Sequence, residues 1–252
     1  MSGSIVNIAA YLFTAVADPG ALRPVMTAVC QGLDLKGTVL LTPEGINLFL
    51  AGTREGIDGF LDWLRRDPRF STIRVKESLS TVQPFQRLKV KVKAEIITLR
   101  RPQLRPAQGR APLVTAQDLK RWLDQGQDDA GRPVVLVDTR NACEVAAGTF
   151  VGARHYGIRK FTEFPAAVEA DREALAGATV VTFCTGGIRC EKAALFMAEV
   201  GFQHVRQLDD GILGYFAAVG GKHYQGGCFV FDDREAVDAQ LAPVATSLVP
   251  SG

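Results

Sequence analysis

Hydrophobic and polar positions in the first hundred residues follow two periods. Four apolar runs have the length of strands, and two stretches between them repeat apolar residues every three or four positions. The helices are predicted to begin after Asp18, which Pro19 follows, and after Thr53, because such residues commonly cap or open helices. The predicted strands are Ile5–Phe13, Leu35–Leu41, Ile46–Ala51 and Ile73–Lys76. This βαββαβ order predicts a ferredoxin-like α+β domain, an antiparallel sheet with two helices on one face.

A strictly alternating segment follows at Arg87–Lys93. On a strand its cations would project from one face and its apolar side chains from the other. The cations of this basic segment are Arg87, Lys89, Lys91 and Lys93. Their spacing of about 6.5–7 Å is comparable to that of phosphates along a nucleic-acid strand. The segment therefore predicts either an RNA-binding surface or a solvated edge strand whose lysines prevent aggregation.

The composition changes after the basic segment. Residues 101–114 contain three prolines and no periodic apolar face, which predicts a linker. Beyond it, apolar strands alternate with helices, an order that predicts an α/β domain with a parallel sheet covered on both faces. We expect a first domain at residues 1–100, the linker at 101–114, a second domain at 115–222 and a short C-terminal tail at 223–252, frayed from Pro243. In the tail, Cys228–Phe231 is predicted as a strand and Arg234–Leu241 as a helix.

The composition excludes several classes of protein. With 47% hydrophobic and 22% charged residues, the chain is typical of a globular protein. The apolar runs are shorter than the roughly 18 residues that span a bilayer, and no basic leader precedes the first one, so neither a membrane helix nor a secretory signal is predicted. The cysteines suit neither a disulfide framework nor a zinc site, so we expect the reducing cytoplasm. They are Cys30, Cys143, Cys184, Cys190 and Cys228.

The net charge of +2 conceals an asymmetry. Residues 1–110 contain 16 Lys and Arg against 9 Asp and Glu, whereas residues 111–252 contain 13 against 18. The excess of the first part is concentrated between Arg87 and Arg110, where Glu95 is the single acid. A basic surface of this kind indicates an anionic partner.

The most informative loop runs from Cys184 to Cys190. An apolar strand ends at Cys184, two glycines free the backbone, and a helix is predicted to begin near Glu191. In open α/β sheets, ligands bind at this strand-to-helix turn. Backbone N–H groups, the helix N-terminus and Arg189 all favour thiolate over thiol, so we predict that Cys184 is ionised and nucleophilic at neutral pH.

The other cysteines carry weaker signals. Cys30 and Cys143 have no comparable glycines or flanking cation, which favours a structural role. Cys190 follows Cys184 by six residues. It either resolves an oxidised or persulfidic Cys184 as a disulfide or simply packs in the first helical turn.

Four residues separate Cys184 from Arg189, one fewer than in cysteine phosphatases, whose wider loop encloses a phosphoryl group. The space inside this loop is therefore expected to be closer to the size of one sulfur atom. The loop resembles the active-site loop of the rhodanese family, which begins with the cysteine that accepts sulfur as a persulfide. The residues of this loop are Cys184, Thr185, Gly186, Gly187, Ile188, Arg189 and Cys190. Asp138, Arg140 and Glu144 resemble the family's strand-end Asp-x-Arg and following Glu, and we expect them to support the loop as buried ion pairs. Gly148–Ala153 and Asp210–Tyr215 also match, so the likeness spans about Thr115 to Gly220.

The resemblance narrows when both halves are considered. Cys184–Ala193, Thr42–Asn47 and Cys228–Arg234 together are similar to the tRNA uridine hydroxylases, in which a ferredoxin-like domain precedes a rhodanese domain. This resemblance implies an enzyme that converts the wobble uridine (position 34) of tRNA to 5-hydroxyuridine, with catalytic Cys184 and molecular oxygen as co-substrate. It also implies that the basic segment meets tRNA phosphates near the anticodon loop. Longer members continue into a cysteine-rich, zinc-type tail, whereas these 252 residues contain no CxxC pair.

We expect the Cys184 thiolate or persulfide to attack C6 of a splayed-out uridine, as single-stranded loops permit. No cofactor or metal site is identified, because His155, His204 and His223 lack ligand spacing and no dinucleotide fingerprint occurs. Two alternatives stay open: a sulfurtransferase that passes sulfane sulfur through a Cys184 persulfide, and a non-catalytic RNA-binding protein. The sequence implies no protein partner.

Overall fold

The computed structural model describes residues 4–244, which form two units. The first unit comprises the chain up to Ile96 together with Phe231–Arg234. The second comprises Ile97–Val230 and the residues from Glu235 onward. Four residues of the predicted C-terminal tail therefore belong to the first unit.

The first unit is built on one mixed sheet. Its elements are β1 (Ile5–Phe13), α1 (Pro19–Gly32), β2 (Lys36–Thr42), β3 (Gly45–Gly52), α2 (Arg54–Arg65), β4 (Arg74–Ser80) and β5 (Leu88–Val92). The strand order is β4-β1-β3-β2-β5, and β1 to β4 pair antiparallel. The helices begin where the sequence predicts, because Asp18 accepts a hydrogen bond from the Ala21 N–H and Thr53 accepts one from the Gly56 N–H. The predicted ferredoxin-like fold is confirmed.

The two faces of this sheet differ. Ile8, Leu48 and Val39 face a core that they share with Met26 of α1 and Phe60 of α2. Because successive side chains on a strand alternate, the residues between these core positions lie on the side away from the helices. We call that side the open face.

β5 is a fifth strand in addition to the βαββαβ order. It pairs parallel with β2 and forms one edge of the sheet. Val90 is buried in the core, whereas all four cations of the basic segment are exposed. The alternation that the sequence predicts for this segment is confirmed.

The second unit is an α/β structure. Its elements are β6 (Leu113–Val114), α3 (Ala116–Gln125), β7 (Val134–Asp138), α4 (Ala142–Ala147), β8 (Gly148–Phe150), α5 (Phe164–Ala170), β9 (Thr179–Phe183), α6 (Ile188–Glu199), β10 (Val205–Leu208), α7 (Gly211–Val219), β11 (Tyr224–Gly226), β12 (Cys228–Phe229) and β13 (Ala236–Val237). Single 3-10 turns lie at Pro106–Gln108, Phe161–Glu163 and Glu173–Leu175. The main sheet has the order β6-β10-β9-β7 with every pair parallel, as predicted.

Apolar side chains cover both faces of this sheet. Val180 packs with residues of α5 and α6, whereas its neighbour Val181 packs with residues of α3 and α7. Adjacent residues of β9 therefore enter different cores, which is the arrangement expected of a parallel strand between two layers of helices.

The predicted linker at 101–114 requires correction. Leu104 and Ala111 are buried in a core of the second unit, and Leu113–Val114 pairs with β10 as an edge strand. Prolines and glycines remove the periodicity that sequence patterns detect, but they do not prevent single apolar side chains from being buried. The segment is part of the second unit.

The predicted helix at Arg234–Leu241 is wrong. Ala236–Val237 is instead a strand, β13, that pairs antiparallel with β12. Both β13 residues are buried, and Val237 joins the core beside α3 and α7. Pairing with the preceding strand and burial against α3 and α7 thus override the local helical pattern. The predicted frayed end lies mostly at residues 245–252, outside the described residues.

Candidate active site

The loop that follows Cys184 connects β9 to α6. All five residues of β9 are buried. The helix begins at Ile188, earlier than the predicted start near Glu191, so Arg189 and Cys190 lie in its first turn. Gly187 precedes the helix with a φ of +99°, a conformation that residues with a Cβ rarely adopt. The sharp turn of the loop therefore depends on this glycine.

The sulfur of Cys184 is stabilised as an anion. Burial alone raises the pKa of the Cys184 thiol, but a hydrogen bond from Cys190, the charge of Arg189 and nearby backbone N–H groups outweigh it. Together they lower the pKa of Cys184 from 9.0 to about 5. The N–H of Gly187 also donates to Sγ across 3.1 Å. At neutral pH this side chain is a thiolate.

Cys190 has the opposite protonation preference. It is fully buried, and burial together with the neighbouring Cys184 anion raises the pKa of the Cys190 thiol well above 9.0. Its Sγ lies 3.9 Å from the hydroxyl oxygen of Thr139. Cys190 therefore remains a neutral thiol that can donate its proton in a hydrogen bond to Cys184.

Arg189 is held by a buried ion pair with Glu144 of α4. Both terminal nitrogens of Arg189 donate to the Glu144 carboxylate across 2.6 Å, and the two side chains are 6% and 1% exposed. Glu144 also accepts from the N–H of Asn141, the residue before α4. Because both partners are fixed, the guanidinium keeps its charge next to the Cys184 sulfur.

A second buried ion pair joins Asp138 to Arg140. The Arg140 guanidinium donates to Asp138 at 2.7 Å and to the Gly148 carbonyl at 2.6 Å. Between them, Thr139 donates its N–H and its hydroxyl to the Phe183 carbonyl, directly before Cys184. Asp138, Arg140 and Glu144 thus form two buried ion pairs, one next to Thr139 and one with Arg189 of the loop; their supporting role stays a prediction.

The start of α7 closes the loop from another side. The N–H groups of Ile212 and Leu213 donate to the carbonyls of Cys184 and Thr185. A Cβ on Gly211 would lie 2.4 Å from the Cys184 carbonyl oxygen, so the approach requires glycine. Sequence reasoning gave these residues and Thr139 no individual role, and their only signal was their place in segments that resemble the rhodanese family.

Cys184 is buried more deeply than its predicted role as a nucleophile suggests. Its side chain is 1% exposed, whereas Gly186 and Ile188 of the same loop are partly exposed. Cys228 is also buried nearby, and burial raises its pKa to about 12. A base as large as uracil can contact the Cys184 sulfur only after neighbouring residues move.

The predicted RNA-binding residues lie in the first unit. The four cations of the basic segment are exposed on and beside β5, and none makes an ion pair in the described part of the chain.

Within residues 4–244, no group of three or more His, Cys, Asp or Glu side chains is placed to bind a metal ion. No helix among these residues is both long and apolar enough to cross a bilayer.

Two family models match the two units. A model described as a UPF0176 acylphosphatase like domain matches residues 5–96, and a rhodanese-like domain model matches residues 115–218. The solved structure of Saccharomyces cerevisiae Ygr203w is described as a homolog of single-domain rhodanese and of the Cdc25 phosphatase catalytic domain. Its match covers 44% of this chain and 83% of that chain, with 16% identity and a TM-score of 0.38. That score is low, so the assignment depends on the family models and on the parallel sheet that carries the Cys184 loop. They define a rhodanese-type domain preceded by an acylphosphatase-like domain.

Relatives that match nearly the whole chain identify the family more closely than the two domain models do. Proteins named tRNA uridine(34) hydroxylase match 95% of this chain. The protein of Ralstonia nicotianae is 62% identical, and the match covers 85% of its length. The protein of Burkholderia ambifaria is 57% identical, and the match covers 86% of its length. The protein of Cupriavidus pinatubonensis is 60% identical. The chain belongs to the tRNA uridine(34) hydroxylase family.

Proposed function

We propose that this protein hydroxylates the wobble uridine, position 34, of tRNA to 5-hydroxyuridine in the cytoplasm, and that Cys184 is its nucleophile. The observation that carries the proposal is a thiolate with a pKa of about 5, in the loop of a chain 62% identical to a protein named for this reaction. The names of the relatives favour a hydroxylase over a sulfurtransferase. Five free cysteines are consistent with a reducing compartment.

The first chemical step is the addition of the Cys184 thiolate to C6 of uracil. The S–C6 bond forms, and the electron pair of the C5=C6 bond moves to the C4 carbonyl, which makes C5 nucleophilic. C5 then bonds to one oxygen atom of O2 that two electrons and two protons from a thiol-class reductant have brought to the peroxide level; the O–O bond breaks, and the second oxygen leaves as water. Loss of the C5 proton expels the thiolate and restores the C5=C6 bond. The overall reaction consumes O2, two electrons from a thiol-class reductant and two protons, and it releases water.

The surrounding residues act on the charge of the sulfur. Arg189 and the N–H of Gly187 stabilise the thiolate before attack and after elimination, when the same charge returns. Cys190 donates to the thiolate and is too weak an acid to ionise in its place. Since Cys184 is 1% exposed, entry of the base requires the loop to open, and an extruded anticodon base is the kind of substrate that can enter.

A direct test replaces the sulfur. Cys184→Ser is expected to abolish the formation of 5-hydroxyuridine in tRNA incubated with the protein, oxygen and a thiol reductant at neutral pH. At that pH the serine hydroxyl is not ionised and cannot replace the thiolate. The measurement is mass spectrometry of nucleosides from the digested tRNA. Cys143→Ser, at an exposed cysteine, is the matched control and should retain wild-type activity. Activity in Cys184→Ser equal to that of the control would refute the role of Cys184.

A further inference from the structure

The open face of the first unit carries two parallel rows of side chains. The strand registers align one residue from each strand in every row, so each row crosses the whole sheet. The first row is Lys76, Ala9, Phe49, Thr38 and Lys89, and the second is Arg74, Tyr11, Asn47, Leu40 and Lys91. Each row begins and ends with a cation and has an aromatic ring on a central strand.

The two rings are close neighbours. Ala9 is opposite Phe49 and Tyr11 is opposite Asn47, so Tyr11 and Phe49 are diagonal partners on β1 and β3. Diagonal partners in a sheet lie roughly 7–8 Å apart. The Nζ of Lys76 lies 5.7 Å from the centroid of the Tyr11 ring. Both rings are partly exposed.

A third aromatic side chain extends this surface. Phe231, which returns to the first unit, is 52% exposed, and its ring centroid is 6.0 Å from that of Phe49. The neighbouring row, at Asn7 and Ser78, is covered instead, because Asn7 is 4% exposed and Arg234 donates to the Ser78 hydroxyl. The aromatic surface therefore does not continue into the row at Asn7.

Neither row contains an acid. Glu77 lies between the row positions of β4 and is opposite Ile8, whose side chain faces the core. It pairs with Arg54 at the start of α2 rather than with the cations of the open face. Lys89 and Lys91, at the β5 end of the rows, are exposed and make no ion pair within residues 4–244. The rows thus place two unpaired cations beside two partly exposed rings, which is complementary to a polyanion that carries planar groups.

We propose that this open face binds a single-stranded segment of the tRNA substrate, with bases stacked on Tyr11 and Phe49 and phosphates near Lys89 and Lys91 at the β5 edge. Stacking on aromatic residues of central strands is a general way for a four-stranded sheet to bind RNA. In this sheet the antiparallel strands β4, β1, β3 and β2 provide such a surface, and β5 adds a fifth strand at one edge. The step between rows, about 6.5–7 Å, also matches the spacing of successive nucleotides in an extended strand. The identity of the RNA rests on the proposed function.

The test measures binding of a fluorescein-labelled anticodon stem-loop RNA to the full chain. Phe49→Ala and Tyr11→Ala are each expected to raise Kd roughly 5- to 150-fold, the range for loss of one stacked base. Phe49→Trp and Tyr11→Phe, which keep a ring, should stay close to wild type. Leu79→Ala is the matched control, since Leu79 is 56% exposed on β4 but lies opposite Val6 and thus on the other face.

A second readout separates stacking from charge and from folding defects. Stem-loops with abasic loop nucleotides should bind wild type more weakly than the intact RNA but bind both alanine variants and wild type with similar Kd. The slope of log Kd against log salt should be unchanged in the alanine variants, because they remove no charge. Equal melting temperatures would show that the variants fold.

The outcomes distinguish this inference from the proposed function. If wild type binds and hydroxylates tRNA while both alanine variants bind as tightly as Leu79→Ala, the stacking surface is refuted and the function stands. If the variants lose binding but wild-type protein forms no 5-hydroxyuridine, the surface stands and the function is refuted.

Discussion

The cation beside Cys184 and the cations of the basic segment differ in burial and in pairing. Arg189 is buried and doubly hydrogen-bonded to Glu144, so it has one position and one charge state. The cations on and beside β5 are exposed, and none has an ion-pair partner within residues 4–244. A buried and paired cation can orient a sulfur anion but cannot reach a large ligand. Exposed cations can meet phosphates but contribute little to stability.

The largest expected effect of this difference is on folding. Glu144→Gln should lower the free energy of unfolding of the second unit by about 3–5 kcal/mol, because it leaves the buried Arg189 charge without its counter-ion. Urea unfolding followed by the fluorescence of Trp122, in a Trp63→Phe background, reports on the second unit. Asp118→Asn is the control, since its pair with Arg121 on α3 of the same unit is exposed and should be worth about 0–1 kcal/mol. Equal losses in the two variants would contradict the contrast.

A smaller effect is expected when the exposed charges are removed. Lys89→Gln and Lys91→Gln should leave the free energy of unfolding within about 0.5 kcal/mol of wild type. Each should reduce the slope of log Kd for tRNA against log salt by roughly 0.7–0.9, the contribution of one phosphate contact. The measurement is a salt titration of tRNA binding. Lys120→Gln, on α3 and paired with Asp124, should leave the slope unchanged. An unaltered slope in the β5 variants would assign those lysines to protection of a sheet edge.

Local sequence patterns were sufficient to predict much of the fold. The alternation at Arg87–Lys93 and the caps at Asp18 and Thr53 depend on neighbours in the chain, and these predictions are confirmed. The burial of Leu104 and the burial of Val237 beside α3 and α7 depend on distant partners, which no local period reveals. Prediction therefore failed where a short segment is held by residues far away in sequence.

Some features of the candidate site could also be predicted from local sequence, whereas others depend on packing. Glycines, a helix start and Arg189 within one loop were enough to predict the direction of the pKa shift of Cys184. The sequence does not decide between a resolving and a packing role for Cys190, and it does not reveal the raised pKa of this thiol, which depends on complete burial and on the anion beside it. The depth of Cys184 and the contact of Gly211 with its carbonyl also arise from packing that the sequence does not display.

The most direct test is a titration of Cys184 itself. Thiolate ultraviolet absorbance would be recorded against pH in a Cys143→Ser background, and the signal of the Cys143→Ser, Cys184→Ser double variant would be subtracted. We predict a midpoint near pH 5, and an upward shift in Cys190→Ala because the thiolate loses a donor. A midpoint at or above about 8.5, the value of an ordinary thiol, would contradict the account.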